Sequence, residues 1–348
     1  MLNFDNQNKG YTDDQASNRP EALKTQIKLK LKESGEKALA VNIGGNNFTG
    51  PVIDVLSQIK ELEDLNLWGN KISAEGLGGL KKFKNLSSLD LYGNPIGDQG
   101  LKQIAEVSSI RSLNVGSTGL SDDSAEVLSR LSVGYLNLFS NRELGDKGKI
   151  AAINNPRIRN INIGGMDNSS LSVAKALGEN KTLKEIDIYD TQINGEWLKE
   201  FSKNTSLEKV VAGKNNIGDD EVVFFASMKG LKDLNLYDNN LTDKGLAVLA
   251  SMPDLERLEL GQNKNIGADG IKALLGNKKL KALNLDPSVI SKEVIQVIRE
   301  SLSREASNLT ELNMGEIEDD KITALLEKNK QKRGGKSGLI FKKNMRGE

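Results

Sequence analysis

Apolar residues recur along this chain in one fixed phrase, apolar-x-x-apolar-x-apolar-x-x-Asn-x-apolar, from about Ala38 to Lys328. Its clearest copies are Leu62, Leu65, Leu67, Asn70, Ile72 and, one period later, Leu86, Leu89, Leu91, Asn94, Ile96. Taking the third apolar position as a marker, twelve copies are found: Ile43, Leu67, Leu91, Val115, Leu138, Ile163, Ile188, Ala212, Leu236, Leu260, Leu285 and Met314. Successive markers are 23 to 25 residues apart, except for a last interval of 29. Around each marker apolar and polar residues alternate, the period of a half-buried strand. After the asparagine the pattern changes to helical spacing, as in Gly100-Leu101…Ile104-Ala105 and Gly245-Leu246…Leu249-Ala250, so a helix pressing one stripe onto the sheet is expected in each copy. Gly76-Leu77…Leu80 is read the same way. A fixed period in the twenties builds a solenoid whose stacked strands share one core.

The asparagine of the phrase stands at Asn46, Asn70, Asn94, Asn141, Asn215, Asn239 and Asn263. Its amide suits it to bond the backbone of the turn where the strand ends. Thr118, Met166, Thr191 and Ser288 replace it, and looser turns are expected there. Outside the repeats the pattern fades. Residues 1–20 are polar and aperiodic and read as disordered. Residues 21–37 read as an amino-terminal cap. Leu23, Ile27 and Leu31 form a helical stripe and Ile27, Leu29 and Leu31 a strand-like one; helix is preferred. The repeat domain spans 38–330, its long last interval predicting an extended helix from Lys292 to about Glu305. Residues 331–348 form a tail with six Lys or Arg against one Glu. It reads as a solvated end, an address signal, an anionic-membrane contact or a partner-docking strand.

This phrase resembles the leucine-rich-repeat family. The helical segments place it nearest the ribonuclease-inhibitor-like type, and the Gly-Leu-x-x-Leu-Ala flavour at a period of 24 looks most like the bacterial GALA subclass. The resemblance implies an α/β leucine-rich-repeat solenoid, a horseshoe with parallel concave strands, convex helices and about twelve repeats. It further implies a common denominator of protein binding, with partners that differ widely.

Strand residues flanking the markers point away from the core. The position before each marker is an amide or acid in nearly every repeat, from Asn42 and Asn66 to Asn284 and Asn313, and cross-strand amide bonding accounts for that row. The position after it alternates between large and absent: Gly44, Trp68, Tyr92, Gly116, Phe139, Gly164, Tyr189, Gly213, Tyr237, Gly261. With Tyr135, four of the five tyrosines lie on this face. Aromatics at strand edges pair across neighbouring strands, yet solvent-facing Tyr and Trp in such concentration favour a contact face. Acids there include Asp64, Asp90, Glu185, Asp187, Asp190, Asp233, Asp238, Glu259, Asp286, Glu311 and Glu316, against the bases Lys209, Lys214 and Arg257. An acidic, aromatic face centred on Tyr135 through Glu259 repels nucleic acid and steers a partner with a basic patch. Twelve strands about 4.8 Å apart span about 50 Å, the size of a folded protein rather than a small molecule.

Composition removes most catalytic chemistry. The chain has no cysteine and no histidine, and 48 basic residues balance 48 acidic ones. Thiol nucleophiles, cysteine zinc sites and the commonest general base are therefore excluded. Carboxylates such as Asp187 and Asp190 have nothing to enclose them, and Gly44-Gly45, Gly78-Gly79 and Gly164-Gly165 lack the spacing of a nucleotide loop. Neither enzyme, cofactor nor metal is expected, and Trp197 reads as helix packing. The first residues carry neither a basic leader nor an apolar run, so no Sec-type signal is expected; no apolar stretch reaches the 18 residues of a membrane span.

The reading is a non-enzymatic protein-binding module, monomeric on its own, contacting its partner through Trp68, Tyr92, Tyr135, Phe139, Glu185, Asp187, Tyr189, Asp190, Asp233, Tyr237, Asp238 and Glu259. The chain looks like the leucine-rich-repeat effectors of intracellular bacteria. That resemblance implies synthesis in a bacterial cytoplasm, non-Sec delivery to the host cytosol, and binding that inhibits or regulates a host protein or another effector. An adaptor for ubiquitin transfer is the alternative implied by GALA relatives, for which residues 1–37 look too short; a peptidoglycan-sensing module is disfavoured by the missing export signal.

Overall fold

The computed structural model describes residues 40–166, 170–304 and 307–332, with Leu2, Asn3, Ala22, Thr25, Gln26 and Leu29. The chain divides into two compact units, Met1–Asp187 and Ile188–Glu348. In the first, β1 (Leu2–Asn3), β2 (Ala40–Asn42), β3 (Asp64–Asn66), β4 (Ser88–Asp90), β5 (Ser112–Asn114), β6 (Tyr135–Asn137), β7 (Asn160–Asn162) and β8 (Glu185–Asp187) follow one another in sequence order, each parallel to its neighbour. In the second, β9 (Lys209–Val211), β10 (Asp233–Asn235), β11 (Arg257–Glu259), β12 (Ala282–Asn284) and β13 (Glu311–Asn313) do the same. Both units are leucine-rich-repeat solenoids, parallel strands on one side and helices on the other.

Every repeat strand is three residues long and ends just before its marker. The alternation explains why: in β3 Leu65 and the following Leu67 are fully buried while Asp64 and Asn66 face outward. The register repeats this choice, Leu65 pairing with Leu89 and Leu89 with Leu113, so apolar side chains stack into continuous columns. Burying one such leucine contributes about 1.5–3 kcal/mol, and each repeat supplies several. From the helical side Leu101 and Ile104 of helix Gly97–Ile104 complete the column, as Leu246 and Leu249 do in helix Asp243–Ala250. Trp197 is buried against Phe201, ring centroids 5.2 Å apart. The extended helix expected in the long last interval runs Lys292–Ser303.

Two local expectations change. The segment Ala74–Lys82 is a 3₁₀ helix rather than an α-helix. It holds three glycines, poor helix formers, and Gly76 is pressed against the backbone of Gly50, where a β-carbon would have no room. The threonine turns are not loose. Thr118 and Thr191 are buried, and their hydroxyls donate to the carbonyls of Val115 and Ile188 at 2.6 and 2.8 Å. At Ser288 the work passes to the buried Asp286, which accepts from the amides of Gln262 and Ser288.

Where asparagine is present it joins successive repeats. Asn70 donates to the carbonyls of Leu67 and Ile43 (2.8 and 3.1 Å) and accepts the amides of Asn46 and Phe48 (3.1 and 2.9 Å). Asn94, Asn141, Asn215, Asn239 and Asn263 donate and accept likewise. Of the expected cap, Ala22, Thr25, Gln26 and Leu29 are helical; the cap's other residues, most of residues 1–20 and residues 333–348 of the tail lie outside the described residues. No helix among the described residues is long and apolar enough to cross a membrane.

Candidate functional site

The side chains that leave the sheet away from the helices form rows, and the register shows which are neighbours. In the first unit one row runs Asp64, Ser88, Ser112, Tyr135, Asn160, Glu185, and the next Asn66, Asp90, Asn114, Asn137, Asn162, Asp187. The second row does not mainly bond across strands. Its side-chain oxygens accept the amide two residues ahead in their own strand: Asn66 from Trp68 at 3.0 Å, Asp90 from Tyr92 at 2.9 Å, Asn137 from Phe139 at 2.8 Å. This turn closes the strand where the ladder ends. Amide groups left over then reach sideways, as from Asn162 to the Asp187 carboxylate at 3.0 Å.

The alternation of aromatic and glycine is a packing device. Tyr92 lies over Gly116, where a β-carbon would be 2.8 Å from its Cδ2. Phe139 covers Gly165 and Trp68 covers Gly44 in the same way. In the second unit Tyr189 lies over Gly213 and Tyr237 over Gly261, where a β-carbon would fall 2.9 and 3.0 Å from the ring. One ring face is thus spent on a neighbouring backbone, and these rings are half-buried. Tyr135 differs. It sits between the small Ser112 and Asn160 and is 41% exposed. Burial, then the Asp187, Asp90 and Glu185 carboxylates, raise its phenol pKa, and the nearby Asn137 side chain opposes that rise only in part.

The charges separate between units. On the second unit's face Asp190 pairs with Lys214 at 2.8 Å and Asp233 with Arg257 at 2.9 Å. Glu259 is only 7% exposed; it accepts from the Gly261 amide at 2.7 Å and from Asn284, and burial raises its pKa. Its carboxylate is therefore largely withdrawn from solvent. Asp238 is exposed beside Tyr237. In the first unit Glu185 and Asp187 are half-buried, and burial raises the pKa of Asp90.

Of the residues singled out from sequence, Trp68, Tyr92, Tyr135, Phe139, Glu185 and Asp187 share the first unit's face. Tyr189, Asp190, Asp233, Tyr237 and Asp238 belong to that of the second. What the sequence did not reveal is that the second unit's acids are largely engaged within their own face. The spacing of 24 between each acid and its base was the available signal.

Comparison with known proteins agrees with the repeat. Family models described as leucine rich repeat match residues 205–265 and 84–105. No curated protein matches the chain. Among solved structures, an internalin from Listeria monocytogenes is similar over 85% of this chain and 95% of its own, with 20% identity and a TM-score of 0.49. A likeness of that degree says nothing of function.

Proposed function

We propose that this chain is a non-enzymatic protein-binding module whose open strand faces contact the partner. The observation that carries the reading is the aromatic arrangement. Rings that could have filled a core are instead laid on glycine with their other faces outward, which gives a partner large, rigid contact areas at small entropic cost. The partner is a folded protein with a basic patch; nucleic acid is disfavoured by the carboxylates beside the rings. The chain acts as a monomer, is made in a bacterial cytoplasm, and reaches a host cytosol by a non-Sec route to inhibit or regulate a host protein or another effector.

The test is capture from lysates of source and host cells, comparing wild type with a Tyr189→Ala/Tyr237→Ala/Asp187→Lys variant whose circular dichroism and melting are unchanged. A stoichiometric protein captured by wild type and lost by the variant is expected. A partner held equally by both would move the contact to the helical side or the tail and overturn the reading.

A further inference from the structure

The loops that lead from each helix into the next strand stack along one rim of the first unit. Three consecutive ones, at 107–111, 129–134 and 154–159, hold four exposed arginines, Arg111, Arg130, Arg157 and Arg159, and no carboxylate. The chain has eleven arginines against 37 lysines, yet these loops contain no lysine at all. The cluster therefore concentrates one kind of cation rather than charge in general. Of the acids beside it, Glu106 is paired with Lys81, and Glu126 meets Arg130 only at 3.9 Å with both side chains exposed. On the matching loops of the second unit lysines are answered by acids one repeat away, Lys232 by Glu208 and Lys281 by Glu256, both at 2.8 Å.

Arg111 and Arg159 hold the same place two repeats apart, on either side of Gly134. The Gly134 amide donates to the Arg111 carbonyl and its own carbonyl accepts the Arg159 amide, both at 2.8 Å. The two side chains share one pose. Nη1 of Arg111 donates to the carbonyls of Ser108 and Ile110 (2.5 and 3.1 Å), and Nη1 of Arg159 to those of Pro156 and Ile158 (2.7 and 3.4 Å). These bonds orient the guanidinium groups without neutralising them, and Nε and Nη2 of both have no partner among the described residues. Matching poses two strands apart set the groups about 10 Å from each other. Between them Gly134 offers no side chain, and a β-carbon there would meet nothing closer than 3.9 Å. Its loop is also the shortest of the three: residues 131–134 join helix Ala125–Arg130 to β6, where 105–111 and 154–159 serve on either side. One phosphate accepting from both groups at N···O of about 2.8 Å fills such a gap. Resting on the protein-binding reading, we propose that this notch receives a phosphate monoester on a segment of the partner, held between Arg111 and Arg159, with Arg130 and Arg157 adding charge beside it. The planar fork of arginine matches two phosphate oxygens at once, and arginine clusters are a recurring means of reading phosphorylated segments. Nucleic acid takes many phosphate contacts along its length; a notch with room for one phosphate favours a single group.

The test is a titration of the full chain with N-acetyl-O-phosphoserine amide, followed at the arginine Nε–H NMR signals. Arg111 and Arg159 should shift together, and the unphosphorylated serine amide should move neither. Arg111→Gln/Arg159→Gln should weaken binding about tenfold. Arg111→Lys/Arg159→Lys, which keeps the charge and loses the fork, should not restore it. Gly134→Val leaves every charge in place and fills the notch, so a similar loss is expected with melting unchanged. Wild-type affinity in Gly134→Val, or full rescue by lysine, would reduce the cluster to diffuse charge and overturn the inference. So would capture of phosphatidylserine vesicles or single-stranded RNA by a chain that ignores phosphoserine. In the lysate capture, phosphatase treatment should release the partner as the arginine-to-glutamine variant does. A partner lost with the strand-face variant, yet held by that arginine variant and after phosphatase, would overturn this inference alone and leave protein binding standing.

Discussion

Replacing Asn239 by alanine tests whether the asparagine ladder holds the repeats together. Asn239 is buried. Its side-chain oxygen accepts the amides of Asn215 and Ile217, at 3.1 and 2.9 Å, and its amide donates to the carbonyls of Ala212 and Leu236, at 3.1 and 3.0 Å. Alanine leaves both backbone amides facing a methyl group. A buried donor without an acceptor costs about 1–3 kcal/mol. The carbonyls, each with a second lone pair, lose less, so a total near 3–5 kcal/mol is expected. Threonine is the informative intermediate, because Thr118 and Thr191 recover one bond to the carbonyl three residues back. Asn239→Thr should therefore cost about 1 kcal/mol less than alanine. A repeat array need not unfold in one step. The sharper readout is hydrogen exchange at the Asn215 and Ile217 amides, where each 1.4 kcal/mol is a tenfold loss of protection, with urea unfolding beside it. An alanine variant with unchanged protection at both amides, or a threonine variant as damaged as alanine, would sink the idea.

Other outcomes follow from the same geometry. Gly116→Ala should displace Tyr92, since the new Cβ would meet its ring at 2.8 Å, whereas Gly119→Ala meets nothing within 4 Å and isolates the strain of φ +76°. Tyrosine-ring NMR shifts should move in the first variant only, both losing about 1–2 kcal/mol. At Asp98, Asp219 and Asp286 burial opposes ionisation. Hydrogen bonds from Ser121 and Ser124, from Thr242 and Gly245, and from Ser288 and Gln262 outweigh it, and hold these groups below the ordinary 3.8. Depressed folded-state values mean stability that is present above pH 3.8 and lost as pH falls through them; Asp90 and Glu259, raised by burial, act with the opposite sign. Acid unfolding should accordingly be less steep in Asp219→Asn than in wild type. Asp319 caps helix Asp320–Gln331 and meets Arg299 at 2.6 Å, so Asp319→Ala should cost about 1–2 kcal/mol and fray that helix first, seen as early exchange of the Ile322 amide.

The fold was legible because its signal is repeated: no single leucine decides a strand, but columns such as Leu65, Leu89 and Leu113 can be aligned by counting. Helix type was less legible, since the glycines of Ala74–Lys82 act through a close backbone approach that only three dimensions display. For the candidate site, the outward positions could be named, yet the use of each side chain could not. Glu259 reads as a surface acid and is buried; Asn66 and Asn137 read as partners across strands and turn out to close their own. Lys149, in the place that Leu101 and Leu246 hold in other repeats, is buried although lysine is the last residue expected there.

From Asn70 onward each ladder asparagine looks backward, serving amides or an amide and a carbonyl of the repeat before it: Asn70 serves Asn46, Phe48 and Ile43, and Asn263 serves Leu241 and Leu236. A network in which each link reaches no further than the preceding repeat has no preferred length. Cutting out a whole module, or copying one, recreates the same bonds at the seam, while an edit of any other size strands half of them. Such a chain can change its reach by duplication in a single genetic step. The outward rows of the new module are then free to diverge, because nothing in the ladder depends on them.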